Sequence, residues 1–441
     1  MVSKRGGKQP PVYFDRHGYF FVRLPQNKLR QPWPRRVEGP TPHHARIADD
    51  EYAGTITCVL VTESPLYVGS GLLRQNDAAP GGVARDVMRG PDDRPLIPGS
   101  SLKGAFRAVA EAASRSCVSI VGEATREGEQ KPFWYAEEPK DFPGRHIEDI
   151  PEKVLSLVKS IERENRRRKQ QRKPPKKLDL ELDPGEVEHL APCKADDSLC
   201  PCCALFGLLG YRGRVSFSTA EPVGPCETEL RRIPALFSPR AHRLADKRYW
   251  TQDAFEAVGG RVRLHHIVGR KFYPHLDCSP DGSFGGLNRA LAQRFDPSRW
   301  KFVEPIEAVP IGARFRFTIS VRNARLWEIG LLLFALGQDV EVGPDGRVPW
   351  MPKLGGGKAV GLGSVRIEVE ALDLWPGGAL YRAYRPEGAK APLTAQDAVR
   401  AFLQNSDVAH AAGIADLRRG LARELREEDI LLVNPERHRG W

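Results

Sequence analysis

The chain has 441 residues, 41% of them apolar, which is enough for a sizeable core in one elaborated domain or two smaller ones. Its formal charge of +11 favours an anionic partner, nucleic acid before a membrane surface, although general solubility explains the same charge. The longest apolar stretch, near residues 329–336, is far too short to span a membrane, and the first residues lack the apolar segment of a secretory signal. We therefore expect a cytoplasmic protein with no membrane partner.

Residues 1–52 are predicted to form a basic and aromatic arm that contains one or two short strands. The composition of this arm suits RNA contact, and packing against the body of the protein explains it equally well. The main predicted domain covers residues 53–375. It opens with a strand-like pattern over residues 53–71 whose two faces are both apolar or β-branched, which is typical of a central strand, and a loop is predicted over residues 69–95.

The next predicted element is a helix over residues 101–117, because apolar residues such as Leu102 and Phe106 recur at helical spacing. A turn containing Pro98 and Gly99 precedes this helix. The turn and the helix start together form the most specific motif in the chain, which reads Ile-Pro-Gly-Ser-Ser-Leu-Lys-Gly.

In this motif Ser100 or Ser101 is expected to cap the helix. The free backbone N–H groups of a helix start favour an anion, and Lys103 and Arg107 add positive charge at the same end. An ordinary capped helix explains the serines but not the turn followed by two cations, so the motif indicates a phosphate site.

Two long insertions are predicted, at about residues 120–212 and 222–310. The first contains a basic run over residues 166–177, which is typical of a solvated linker and also suits RNA contact. The second contains a Gly-Arg-Lys-Phe-Tyr-Pro-His stretch in which Arg270 and Lys271 supply charge.

Three of the eight cysteines crowd into residues 200–203, which indicates a metal site before a disulfide scaffold. Cys193, Cys200 and Cys203 are the first candidate ligands, and a zinc site needs four. The candidates for the fourth ligand are His189, Cys117 and Cys202. The zinc would be structural, in a zinc-knuckle-like element that pins the first insertion to the core; buried free thiols are the alternative.

The later part of the domain repeats an earlier order of elements. A strand is predicted near residues 213–220, a cleanly alternating strand over 314–321, an apolar helix over 326–336 and a closing strand over 364–372. Strand, helix, strand thus occurs early and again late. This predicts an α+β fold with a modified ferredoxin-like (RRM-like) core, a sheet with helices on one face, interrupted by large insertions.

A glycine-rich loop lies just before the closing strand, between Lys353 and residue 363. Its glycines let a backbone approach a sugar-phosphate chain closely, and Lys353 and Lys358 supply charge. The spacing is wrong for a Walker P-loop. Beyond it, residues 376–441 are predicted to be a helical extension with short helices near 394–404 and 414–426.

Taken together, these motifs resemble the RAMP superfamily of CRISPR-associated proteins, over roughly residues 53–370. The backbone-forming subunits of type III effector complexes match best. The resemblance implies an antiviral, RNA-guided complex in which ferredoxin-like subunits pack side by side along a guide RNA, with target RNA and other effector subunits as partners. The residues implied in RNA binding are Ser100, Ser101, Lys103, Arg107, Arg270, Lys271, Lys353, Gly355, Gly356, Gly357, Lys358, Gly361 and Gly363.

In catalytic members of the family an aspartate precedes the Pro-Gly-Ser-Ser turn and helps to cleave target RNA. The expected position falls here on Ala84, while Asp86 lies two residues on and Asp77 lies upstream. In-line attack by a ribose 2′-OH needs a base or a divalent metal ion and charge stabilisation. Asp86 is the first candidate and Asp77 the second; an ion pair of Asp86 with Arg85 or Arg89 is the alternative.

Two other functions remain open. A stand-alone endoribonuclease that processes precursor guide RNA would use a histidine as general acid or base, and the chain has two histidine pairs, His43-His44 and His265-His266. A zinc-stabilised RNA adaptor unrelated to CRISPR is the other.

Overall fold

The computed structural model describes the residues that build the core and those around the candidate sites. The described residues are 12–15, 19–25, 50–117, 123–124, 130–131, 160, 163–173, 180–182, 193, 199–234, 255–258, 261–264, 270–275, 303–377, 393–423 and 430–432.

Their strands and helices are numbered in chain order. The strands are β1 (Val12–Asp15), β2 (Tyr19–Val22), β3 (Glu51–Thr62), β4 (Gly69–Gln75), β5 (Val83–Val87), β6 (Glu123–Ala124), β7 (Gln130–Lys131), β8 (Leu180–Leu182), β9 (Val215–Phe217), β10 (Glu221–Pro222), β11 (Glu229–Pro234), β12 (Phe255–Val258), β13 (Arg261–Leu264), β14 (Arg270–Phe272), β15 (Val303–Ala308), β16 (Arg314–Arg325), β17 (Val365–Pro376) and β18 (Ile430–Leu432). The helices are α1 (Gly99–Ala113), α2 (Pro201–Phe206), α3 (Leu326–Ala335), α4 (Ala395–Gln404) and α5 (Ala411–Gly420), with a 3-10 turn at Lys358–Val360.

The central sheet is antiparallel and has β3 in its middle, between β16 and β17. Strands β9 and β10 both pair with β16, so the order across the sheet is β9, β16, β3, β17. Along β16, Phe315, Phe317 and Ile319 are buried while Arg314 and Arg316 are exposed, the period of two that a half-buried strand requires. With α1 after β3 and α3 after β16, the chain has the mixed α and β fold that the order of predicted elements indicated.

Helices α1 and α3 cover the buried face of this sheet. The ring of Phe217 in β9 lies between those of Phe106 in α1 and Phe317 in β16, with centroids 6.0 and 6.4 Å away. Helix α4 packs on α3 at Gly330, where a Cβ would overlap the carbonyl oxygen of Ala398. Helix α5 packs on α1 at Gly413 in the same way, so both predicted C-terminal helices belong to the helical layer.

The prediction of a loop over residues 69–95 was wrong. Strands β4 and β5 form an antiparallel hairpin there, and β5 pairs with β15 to extend a second sheet of order β11, β15, β5, β4. The pattern was hidden because β4 is almost entirely exposed, with Leu72 and Leu73 pointing to solvent. A strand without a buried face has no reason to alternate in polarity.

Part of the predicted N-terminal arm is anchored in the body of the protein. Strand β2 lies between β1 and β14 in a third sheet, which β18 completes. The Phe20 side chain is fully buried against α5 at Gly420. Two nitrogens of Arg23 donate to the Asp416 carboxylate in α5, each over 2.8 Å. Packing therefore accounts for these described residues of the arm.

No helix in the described ranges is long and apolar enough to cross a membrane.

Candidate metal centre and RNA-binding surface

Helix α1 starts two residues earlier than predicted, and this changes the role of its serines. The helix begins at Gly99, Pro98 occupies the N-cap position, and no side chain caps the first turn. The expectation that Ser100 or Ser101 caps the helix was therefore wrong, since both lie within the first turn. A Cβ at Gly99 would overlap the carbonyl oxygen of Phe217, so the close approach of β9 fixes this start.

The two cationic side chains of α1, Lys103 and Arg107, have different surroundings. Lys103 is half-buried and has no hydrogen-bond partner among the described residues; burial, and then the nearby Arg107, lower the pKa of its ammonium group. Arg107 instead donates to Glu111 over 2.8 Å, to the carbonyl oxygen of Gly207 over 2.6 Å and to the Cys203 sulfur over 3.6 Å. Lys103 therefore remains available for an anion, whereas Arg107 already donates to three groups of the protein.

Four buried cysteines converge beside the end of α1: Cys117, Cys193, Cys200 and Cys203. Their sulfur atoms all lie within 4.8 Å of one another, and the Cys117 sulfur is 3.4 Å from that of Cys203 and 3.5 Å from that of Cys200. A disulfide needs about 2.05 Å between sulfurs. A tetrahedral zinc with Zn–S bonds of about 2.3 Å places its sulfurs about 3.8 Å apart, so the spacing fits a four-thiolate metal site.

The fourth sulfur of this cluster comes from Cys117, one of the three candidates. Cys202 faces away: its sulfur lies 3.6 Å from the Ser114 hydroxyl, and its backbone N–H donates to Ser116. His189 lies outside the described residues.

The buried thiols shift in both directions: the pKa of Cys193 is lowered, while those of Cys117, Cys203 and Cys202 are raised. Hydrogen bonds from Cys117, and then from Cys200 and Cys203, lower the pKa of the Cys193 thiol. Burial, and then the Glu111 carboxylate, raise the pKa of the Cys202 thiol. A thiolate is therefore favoured at Cys193, while burial favours the protonated form of Cys202.

A buried ion network lies beside the cysteine cluster. Both carboxylate oxygens of Glu111 are occupied, one by Arg107 over 2.8 Å and the other by Arg270 over 2.6 Å. Arg270 also donates to the carbonyl oxygen of Cys117 over 2.7 Å. Sequence reasoning missed Glu111; the available signal was an acidic residue on the apolar face of an amphipathic helix, four residues after an arginine.

The glycine-rich loop folds back on the segment that follows β3. The Gly356 N–H donates to Tyr67 over 2.8 Å, and the Gly363 N–H donates to Pro65 over 2.9 Å. A Cβ at Gly355 would overlap the carbonyl oxygen of Tyr67, and its φ of +80° lies in the left-handed region. Gly357, Gly361 and Gly363 also have positive φ, so the loop conformation itself requires glycine at these positions.

The lysines of this loop differ in accessibility. Lys353 is buried, and its ammonium donates to the carbonyl oxygens of Pro274 over 2.9 Å and Lys358 over 3.3 Å. Burial, and then repulsion by Lys358, lower the pKa of Lys353 to about 7. Lys358 is partly buried and has no side-chain acceptor among the described residues, so it is the available cation. Lys271 lies over the Tyr273 ring, 5.0 Å from its centroid.

A ladder of backbone hydrogen bonds joins the loop to the start of α1. Next to Tyr67, which holds Gly356, the Val68 carbonyl accepts from Met88 over 2.8 Å, and the Met88 carbonyl accepts from Leu96 over 2.9 Å. Leu96 immediately precedes the Ile-Pro-Gly-Ser-Ser turn. The two glycine-containing motifs, far apart in sequence, are therefore connected through the backbone of two intervening segments, residues 67–68 and residue 88.

The acidic candidates lie in the β4–β5 hairpin. Asp86 forms ion pairs with Arg89 over 3.0 Å and with Arg74 over 3.8 Å, while Arg85 pairs with a different residue, Glu304. Asp77 is exposed in the turn between the strands, where Gln75 donates to it over 3.4 Å.

Ala84, where the resemblance would place an aspartate, is fully buried. A carboxylate at that position would therefore lie in the core.

The described part of the basic run is helical over residues 166–170 and largely exposed. Its remainder, from residue 174, and both histidine pairs lie outside the described residues.

Comparison with known proteins gives one family. The family model of the RAMP superfamily matches residues 59–366, while no curated protein matches the chain. The match covers well over half of the chain and contains α1, the four cysteines and the glycine-rich loop. The chain belongs to the RAMP superfamily.

Proposed function

We propose that this RAMP protein binds CRISPR guide RNA through the RNA backbone, as a non-catalytic subunit of a type III-like effector complex with target RNA and other effector subunits as partners. The observation that carries the proposal is the hydrogen-bond ladder between the glycine-rich loop and α1. It connects two features suited to phosphate, a helix start and a close-approach loop, through the intervening backbone of residues 67–68 and 88.

The available cations support this binding mode. Lys103 and Lys358 have no acceptor among the described residues, and burial lowers the pKa of each, which an RNA phosphate would reverse. We propose that Ser100, Ser101, Lys103, Lys358 and the loop glycines contact RNA. The Arg107, Arg270 and Lys353 side chains already have partners in the protein, so their contribution would be to position these groups.

We propose that the core is a modified ferredoxin-like fold. The order strand, helix, strand, strand, helix, strand and the sheet order β17, β3, β16, β9 support this description. The boundaries 1–52, 53–375 and 376–441 stay a proposal for the arm, the domain and the extension. Because α4 and α5 pack on α3 and α1, we propose that the extension folds with the domain.

We propose that the four cysteines hold a structural zinc ion. Four buried cysteine sulfurs within 4.8 Å of one another favour zinc, and four protein ligands would leave no open position for substrate. Elemental analysis of the purified protein tests this: we expect one zinc per chain, and its absence would contradict the proposal.

RNA binding is tested by the salt dependence of affinity for a guide RNA. Each lost phosphate contact lowers the slope of log K against log salt by about 0.7 for a single strand. We expect this decrease for Lys103→Ala and for Lys358→Ala. Arg400→Ala is the matched control, since it removes an exposed cation on α4. Equal slopes in all three variants would overturn the binding surface.

The surroundings of Asp86 argue against cleavage of RNA by this residue. Two arginines neutralise Asp86, which favours its ion-pair role over a general base. Among the described residues the group able to hold a metal is the cysteine cluster. Incubation of the isolated protein with precursor repeat RNA tests the stand-alone endoribonuclease, and stable binding without cutting argues against it.

A further inference from the structure

Six residues, the Arg270–His275 segment, contact both candidate sites. Its first residue contacts the surroundings of the metal centre, and its last two contact the glycine-rich loop. We propose that this segment positions the RNA-binding loop by tying it to the metal centre. The inference rests on the proposed function, because it takes the cysteines as a metal site and the loop as an RNA contact.

At the metal end, Arg270 holds the backbone of a ligand residue directly. Its guanidinium donates to the Cys117 carbonyl oxygen over 2.7 Å and to Glu111 over 2.6 Å. Glu111 in turn holds Arg107, whose third contact is the Cys203 sulfur. Arg270 therefore reaches two of the four cysteines through hydrogen bonds, and outer contacts of this kind fix ligand geometry at metal sites.

At the loop end, Pro274 and His275 hold residues on both sides of the glycines. The Pro274 carbonyl oxygen accepts from Lys353, which precedes the loop. His275 is buried, and its Nδ1 lies 2.7 Å from the hydroxyl of Ser364, which follows the loop. The loop is thus held on both sides of its base, where Lys353 and Ser364 form an isolated antiparallel β-bridge.

The middle of the segment is too well held to absorb movement. Residues 270–272 form β14, which pairs with β2 from Arg270 to Phe272. The Phe272 ring packs on the buried Phe20 ring, with centroids 6.1 Å apart. A strand fixed at both ends by buried polar contacts transmits a displacement at one end to the other, so losing the metal would loosen the loop.

The experiment measures amide hydrogen exchange at residues 355–363 in the full-length protein, before and after the metal is removed with a chelator. In the wild type we expect removal to accelerate exchange in the loop about tenfold, the order expected for losing one charge-assisted hydrogen bond. Exchange in β3 and β16 is expected to stay unchanged. Loss of protection in β3 as well would overturn the inference, because it would indicate general unfolding.

Two variants each remove the side-chain contacts at one end of the Arg270–His275 segment. Arg270→Gln removes the contacts to Cys117 and Glu111, and we expect fast loop exchange even with metal bound. Ser364→Ala removes the hydroxyl partner of His275 without touching the metal centre. We expect it to keep wild-type metal content while its loop exchanges fast whether or not metal is present. Ser364→Ala decides the matter alone if Arg270→Gln fails to fold.

Arg400→Gln is the control, since it breaks an exposed ion pair with Asp397 on α4 and should exchange like the wild type. Two results would overturn this inference and leave the zinc proposal standing. One is a metal-bound wild type whose loop exchange does not change when the metal is removed, and the other is a wild-type rate of loop exchange in Ser364→Ala. Absence of metal from the wild type would overturn both, while the salt-slope measurement tests RNA binding separately.

Discussion

Two neighbouring cysteines differ in role because of the direction in which their side chains point. The Cys203 sulfur faces Cys117 within the cluster, whereas the Cys202 sulfur faces the Ser114 hydroxyl. Both residues lie in the short helix α2, where successive side chains point about 100° apart. Chain spacing cannot distinguish them, but helix geometry does.

This difference gives a matched pair of variants. Cys203→Ser is expected to lower zinc content to well below one per chain and to reduce thermal stability, since one of four thiolates is lost. Cys202→Ser should keep full zinc content, because its thiol lies outside the cluster. Elemental analysis and thermal denaturation measure both; equal zinc content in the two variants would contradict the assignment.

His275 is buried in its neutral form. Its Nε2 lies 3.1 Å from the carbonyl oxygens of Met351 and Leu421, so it carries the proton, and Nδ1 accepts from Ser364. Burial, and then the positive charge of Lys353, lower the pKa of His275 from 6.5 to about 3.

Because His275 is buried in its neutral form, we expect the free energy of unfolding to decrease in acid. Between pH 6.5 and about 3 the unfolded chain binds the proton and the folded protein does not, so stability falls as the pH falls through this window. The slope approaches about 1.4 kcal/mol per pH unit. His275→Gln should flatten it, as measured by denaturant unfolding from pH 7 to about pH 4. Parallel curves for the wild type and the variant would refute the assignment.

At the scale of single elements, α1 contains a glycine, Gly104, that neither the helix conformation nor the packing around it requires. Gly104 is exposed, its φ is ordinary, and a Cβ there would meet nothing within 4 Å. Glycine inside a helix costs about 1 kcal/mol relative to alanine. The loop glycines differ, because Gly355 has a positive φ and no space for a Cβ.

Gly104→Ala is therefore expected to stabilise the protein by about 1 kcal/mol and to weaken guide RNA binding, because the new methyl group projects beside Lys103 where the backbone of the RNA would approach. Thermal denaturation and fluorescence anisotropy measure the two effects. Ala108→Gly, one turn further along the exposed face, is the control: it should lower stability and leave affinity unchanged. A stabilised Gly104→Ala protein with unchanged affinity would remove α1 from the RNA surface.

At the scale of the whole molecule, ion pairs connect distant parts of the chain. Arg23 of the arm holds Asp416 of α5, and Arg418 of α5 donates to both oxygens of the buried Asp339 over 2.7 and 2.8 Å. Asp339 also accepts from Trp350 over 2.9 Å. The described residues after β17 and the described part of the arm thus stabilise the helical layer rather than extend from it.

Cleavage of target RNA by this protein is tested in the assembled effector complex. With guide RNA, matched target RNA and Mg²⁺ present, we expect Asp86→Asn to leave target RNA as stable as the wild type does, because Asp86 is engaged by Arg89 and Arg74. Asp77→Asn, at the exposed hairpin turn, is the companion variant. A wild-type complex that cuts, with a loss of about 100-fold or more in Asp86→Asn, would make Asp86 catalytic.

Sequence by itself determined the features that depend on local order. The periodicities predicted β16, α1, α3 and β17 close to their observed bounds, since the burial of a face imposes a fixed repeat on each element. Chain spacing brought Cys200 and Cys203 together, and the two glycine-containing motifs pointed to the family. Strand β4 of the hairpin was missed for the same reason, because it has no buried face.

Only the tertiary structure decided what depends on the direction of side chains across long chain separations. Cys117 joins the cluster from 76 residues before Cys193 because the end of α1 lies beside α2. Arg107 and Arg270 share Glu111 within the fold although their charges alone suggested RNA. Charge and spacing are properties of the sequence, but which partner a charged side chain reaches is fixed by packing.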